Sequence, residues 1–153
     1  MKVFLFFMST ILSALISCNS NKDAAKNNKL PLEGTWELIK GTTIQNGDTV
    51  NSNYTANTTF IKIINDTHFA FLQHNQNKSK DSSVFVAGGG KYTLNDSSYT
   101  EHLEYCIDRD WEGKDFNFII NIKNDTLIQK GIEKVESKNI NRINIEEYKR
   151  VRK

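Results

Sequence analysis

The sequence lacks most of what announces a chemistry. Its 153 residues include one proline, two cysteines and three histidines, and its formal charge is only +2. So small a net charge makes no electrostatic case for a nucleic-acid partner. No Gly-x-Ser-x-Gly elbow offers a serine nucleophile. The one glycine run, Gly88-Gly89-Gly90, is not followed by Lys-Ser/Thr at phosphate-loop spacing, nor by a helical pattern. His68 and His74 stand six residues apart on one strand, roughly 20 Å, too far to share an ion. His102 with Glu104, on the face opposite the apolar one, reads as solvated exterior. No metal and no cofactor are expected.

What is present is a chain for one domain. Hydrophobic residues make up 38%, and much of the polar remainder is Asn, Ser and Thr. That mixture suits strands and turns better than a helical bundle.

The N-terminus has a different character. Lys2 precedes an apolar run, 3–16, which is too short for a stable membrane span and has the anatomy of a signal peptide. An uncleaved anchor is the alternative. Leu15-Ile16-Ser17-Cys18 resembles the lipobox of bacterial lipoproteins. The resemblance implies cleavage before Cys18 and a lipid on its thiol, hence a durable membrane anchor. The expected organisation is a signal peptide over 1–17, a lipidated Cys18 with a polar, aperiodic tether over 18–30, and a folded domain over 31–153. Placement would be the bacterial cell envelope, lipid-anchored at the periplasmic face of the outer membrane or at the cell surface. With Cys18 lipidated, Cys106 has no disulfide partner and reads as a small packing residue.

Strands are expected at 34–42, 58–65, 67–74, 84–94, 99–108, 115–123, 126–131 and 143–151. Asn65-Asp66, Asn95-Asp96 and Asn124-Asp125 mark tight turns between them, since Asn and Asp tolerate left-handed backbone angles. Residues 41–57 read as a long polar connection with a turn at Asn46-Gly47-Asp48, either a flap over an opening or a loop without function. Eight sequential strands with short links predict an all-β, eight-stranded up-and-down antiparallel barrel. Such a barrel either fills its interior or holds one small ligand.

The ribbon 84–107 sets the expected lining. Period-two alternation turns Phe116 and Phe118 inward, with Tyr92 and Leu94, and with Tyr99, Leu103, Tyr105 and Ile107. That phase carries Glu101 inward as well. A carboxylate there is costly without a partner. A tyrosine hydroxyl, Gln129, Arg109 or a ligand would serve; a solvated place at the mouth is the alternative. The glycine triplet is a bend or bulge. The loop 108–113 is charged, carries Trp111, and is placed to rim the opening.

Gly34-Thr35-Trp36 looks like the opening signature of lipocalin-type barrels. The resemblance implies that Trp36 closes one end and packs against Arg150. Thr67-His68-Phe69-Ala70-Phe71, Gly89-Gly90-Lys91-Tyr92-Thr93-Leu94, the stretch 99–105 and Gly113-Lys114-Asp115-Phe116 resemble the lipocalin-like domains of Bacteroidota lipoproteins. Tyr148 departs from that pattern, where relatives often have Trp. The resemblance covers about 32–151 and implies a barrel that binds a small molecule, with no established reaction.

The reading that follows is a membrane-anchored, non-enzymatic barrel that binds a small, apolar or amphipathic ligand. Its candidate lining is Phe69, Phe71, Tyr92, Tyr99, Glu101, Leu103, Tyr105, Phe116, Phe118 and Gln129. The alternative is a structural or adaptor lipoprotein with a filled barrel, whose loops 41–57 and 108–113 meet an envelope protein or glycan. A third reading, an enzyme using Glu101 and tyrosines, lacks a second catalytic group at a defined spacing.

Overall fold

The structure, a computed structural model, describes residues 31–76 and 83–152. The signal peptide, Cys18 and the tether lie outside the described residues. Among those described, no helix is long and apolar enough to cross a membrane.

Nine strands follow in chain order: β1 Gly34–Gln45, β2 Asp48–Asn53, β3 Thr58–Ile64, β4 His68–Asn75, β5 Phe85–Asn95, β6 Ser98–Cys106, β7 Lys114–Lys123, β8 Thr126–Val135 and β9 Ile140–Arg150. Each pairs antiparallel with its neighbour in the order β2-β1-β3-β4-β5-β6-β7-β8-β9, and β1 also pairs with β9. That last pairing closes eight strands into an up-and-down barrel, leaving no open sheet edge around most of the wall. The architecture is consistent with a lipocalin-like fold.

The two ends of the barrel differ. The links at 65–67, 96–97 and 124–125 are short and share one end with residues 31–33. Left-handed angles occur at Asp96, Asn124 and Asp125, as the Asn-Asp pairs predict. The link at 65–66 works differently. There the Asn65 side-chain oxygen accepts from the Thr67 and His68 backbone N–H groups at 2.9 and 2.7 Å. Trp36 plugs this end. Its indole N–H donates to the Leu32 carbonyl at 2.8 Å, and the Arg150 guanidinium lies 4.0 Å from its ring centroid. Arg150 also donates to the carbonyls of Glu33 and Pro31, which ties down the entering chain. Leu38, Ile64, Phe69, Tyr99, Ile120, Leu127 and Tyr148 pack around the plug as the core. The longer connections gather at the opposite end, the mouth.

Three expectations need correction. The polar connection 41–57 is largely strand: β1 continues to Gln45, turns at Asn46-Gly47, and returns as β2. β1 serves two partners on one edge, β3 along Gly34 to Glu37 and β2 along Lys40 to Gln45. β2 is exposed throughout, so no apolar alternation marked it. Second, β8 does not stop at Gly131, and β9 starts at Ile140 rather than Ile143. Gly131 sits inside the strand because a Cβ there would collide with the Asn117 carbonyl and the Phe118 ring.

Third, Tyr105 and Ile107 point outward, 67% and 61% exposed. The register between β5 and β6 slips: Gly90 pairs with Leu103 and Gly89 with Tyr105, so Glu104 is an extra residue. A bulge of one residue inverts the phase beyond it. Cys106 therefore faces the interior in place of Tyr105. The triplet is the bulge site expected of it, with the added residue on the partner strand.

Candidate functional site

Above the plug the barrel encloses a cavity of about 540 Å³, open at the mouth. That is within the usual range of small-molecule sites. Its wall divides into an aromatic side and a polar side.

On the aromatic side Tyr54, Phe60 and Phe71 stand in file. Tyr54 meets Phe60 edge-on and Phe60 stacks on Phe71, each pair 5.9 Å between centroids. Phe116, Phe118 and Leu103 continue this wall. Trp111 reaches it from the loop after β6, 5.5 Å from the Phe116 ring. Lys138, in the 3-10 turn Glu136–Lys138, holds that loop with ion pairs to Asp108 at 2.7 Å and Asp110 at 3.5 Å.

The polar side centres on Lys62, which is 2% exposed. Its ammonium donates to Glu101 at 2.7 Å and to the Gln129 carbonyl oxygen at 3.1 Å, and it lies 3.8 Å from Glu146. The Tyr148 ring is 5.2 Å from the same ammonium. Burial alone would lower the Lys62 pKa. The charges of Glu101 and Glu146 and the hydrogen bond to Glu101 outweigh it and hold the ammonium above the ordinary lysine range. Glu101 is thus buried with a partner that its own strand gave no hint of.

Toward the mouth, Glu133 forms a second buried cluster. Arg142 donates to one of its oxygens at 2.7 Å and the Asn144 amide to the other at 2.7 Å. Burial, and then the Glu146 charge, push the Glu133 carboxyl up, while Arg142 and the hydrogen bonds pull against them. Glu146 accepts from the Tyr148 hydroxyl at 2.7 Å. Burial first, and the Glu146 and Glu101 charges next, keep Tyr148 protonated well above the usual phenol range. Among the described residues, no three His, Cys, Asp or Glu side chains gather as a metal set.

Of the expected lining residues, Phe71, Glu101, Leu103, Phe116, Phe118 and Gln129 face the cavity. Phe69 and Tyr99 are buried below it, in the core. The Tyr99 hydroxyl lies close to Glu101 without a hydrogen bond of good geometry and has no partner among the described residues. Tyr92 belongs to the closed end, where its ring packs 5.4 Å from Tyr99 and its hydroxyl donates to the Asn65 carbonyl at 2.8 Å. Tyr105 is outside the barrel, as the bulge requires. His102 pairs with Asp115 at 2.8 Å on the outer face.

Sequence reasoning missed Lys62, Glu133, Arg142, Asn144 and Glu146. Lys62 was legible in the alternation Phe60-Lys62-Ile64, and Asn144-Glu146 in phase with Tyr148. Glu133 and Arg142 were hidden because both strands were drawn short of them.

No curated protein and no solved structure matches the chain. Residues 31–153, the whole barrel, match the model of the family described as "Domain of unknown function (DUF4488)", and the chain belongs to that family.

Proposed function

We propose that the barrel is a non-enzymatic carrier or sensor that holds one small, partly apolar ligand, and that a lipid on Cys18 anchors it in a bacterial cell envelope. The observation that carries the binding reading is the cavity of about 540 Å³ between an aromatic wall and a buried polar one. A barrel with this much open interior does not suit the alternative of a filled barrel acting only through its loops. Binding is favoured over catalysis because Lys62, Glu101 and Glu133 already satisfy one another or their neighbours, which leaves them poorly placed to trade protons with a substrate.

The anchor and the cavity fit together. The chain enters at the closed end, where Arg150 grips the carbonyls of Pro31 and Glu33. A lipid on Cys18 would tether that end of the barrel.

The apolar dye N-phenyl-1-naphthylamine tests binding. Its fluorescence should rise on titration with one site per chain, and Cys106→Trp, which sends an indole into the cavity, should abolish the rise without unfolding the barrel. A dye that fails to bind, or binds the Trp variant equally, overturns the reading. Metabolic labelling with a fatty-acid analogue tests the anchor: label should enter the wild type and be absent from Cys18→Ser.

A further inference from the structure

The interior charges do not cancel. Two cations face the cavity, Lys62 and Arg142, against four carboxylates, Glu101, Asp108, Glu133 and Glu146. Asp108, in the loop after β6, is paired with Lys138 at 2.7 Å. Lys62 is committed chiefly to Glu101 at 2.7 Å and Arg142 to Glu133 at 2.7 Å. The carboxylate left over is Glu146. One of its oxygens accepts from Tyr148, and its nearest cation, Lys62, is 3.8 Å away. Burial first, and the Glu146 charge next, raise the pKa values of Tyr54, Glu133 and Tyr148.

Glu146 stands opposite Gly41 in the pairing of β1 with β9. The Tyr54 ring rests on that glycine, where a Cβ would come within 3.1 Å of it. The file Tyr54, Phe60, Phe71 therefore begins beside the surplus carboxylate. A carboxylate next to aromatic faces in a partly dry enclosure favours an ammonium twice, through charge and through the ring quadrupoles. An anionic ligand meets the reverse situation, since both interior cations are already paired.

We infer that the ligand is an organic cation: a protonated or quaternary amine held at Glu146 on an apolar or aromatic body that lies along Tyr54, Phe60 and Phe71. This rests on the cavity being a binding site, and it specifies the ligand's charge.

Three probes of one shape separate the two readings. They are 1-naphthylmethylamine, 1-ethylnaphthalene and 1-naphthylacetate, titrated into the full chain near neutral pH. The amine should bind about tenfold or more tighter than the neutral probe, and the acid weakest, an advantage of the size that cation–π and charge contacts supply. Glu146→Gln should remove most of the amine's advantage over 1-ethylnaphthalene, with a melting curve to show that the barrel is intact. If the neutral probe binds and the amine gains nothing, or the acid binds best, the charge inference is overturned while the binding site stands. If none of the three binds, both fall. The wild-type comparison alone decides the matter if the variant does not fold.

Discussion

Lys62 and Glu101 are 39 residues apart in the chain and meet at 2.7 Å in the barrel's floor. Neither is explained alone. Each charge removed from water costs several kcal/mol, by order of magnitude, and only a close partner with further hydrogen bonds offsets it. Gln129 and the Tyr148 ring provide the rest of that shell. The pair joins β3 to β6 across the interior, so it also fixes which faces of those two strands point inward.

Lys62→Met should therefore destabilise the barrel by about 3–5 kcal/mol, the usual result of stranding one buried charge. The double variant Lys62→Met, Glu101→Leu should be distinctly more stable than that single one, because Glu101 is no longer left as a buried charge without its partner. Urea unfolding of the three proteins measures this. A double variant no better than Lys62→Met would mean that the pair is not the unit described.

Arg150 makes four contacts at the closed end: the Trp36 face, the carbonyls of Glu33 and Pro31, and an ion pair with Asp125 at 3.5 Å. Arg150→Ala should cost about 1–3 kcal/mol, the sum expected of a half-buried cation–π contact and charged hydrogen bonds. Arg150→Lys should recover only part, since an ammonium cannot present a planar fork to two carbonyls and a ring together. Full recovery by lysine in thermal melts would reduce Arg150 to a simple positive charge.

How much of this was legible follows from what each residue's neighbours reveal. Strand existence and barrel order were readable because the strands from β3 to β7 alternate and Asn-Asp pairs mark the turns after β3, β5 and β7. β2 was not, because a strand exposed on all six residues carries no apolar period. The reach of β8 and β9 was lost at Gly131, where a glycine needed for close approach to β7 reads in sequence as a terminus. The inward phase was correct up to Leu103 and wrong from Tyr105 on, since a bulge leaves no mark in periodicity until its partner's register is known. Glu101 was recognisable as a buried charge, but its partner lies two strands before the glycine hairpin, and pairing across a barrel is a tertiary fact.

That bulge has its own test. At Gly90 a Cβ would fall on the His102 carbonyl and the Glu104 backbone nitrogen, well inside contact distance. Backbone is the obstacle, so no side chain can yield. Gly90→Ala should lose about 2 kcal/mol or more, in the range of substitutions that overpack a fixed site. Denaturant midpoints that match the wild type would show that the register there is loose.

Glu133 predicts a pH dependence. Its carboxyl is raised above the ordinary value of 4.5, by burial first and by the Glu146 charge second. The folded protein thus holds a proton on Glu133 over a pH window in which the unfolded chain has released it. Stability from this group is complete below the ordinary glutamate range and is lost as pH rises through the raised value in the fold. Glu133→Gln keeps one acceptor oxygen, replaces the other with an amide NH2, and cannot titrate, so it lacks that loss. The stability of the wild type minus that of the variant should therefore fall as pH rises from the ordinary glutamate range toward neutrality. Urea unfolding of both proteins across that window measures it. A difference that grows with pH instead would mean that Arg142 and Asn144 outweigh burial, and that the cavity holds Glu133 as a net-stabilised anion.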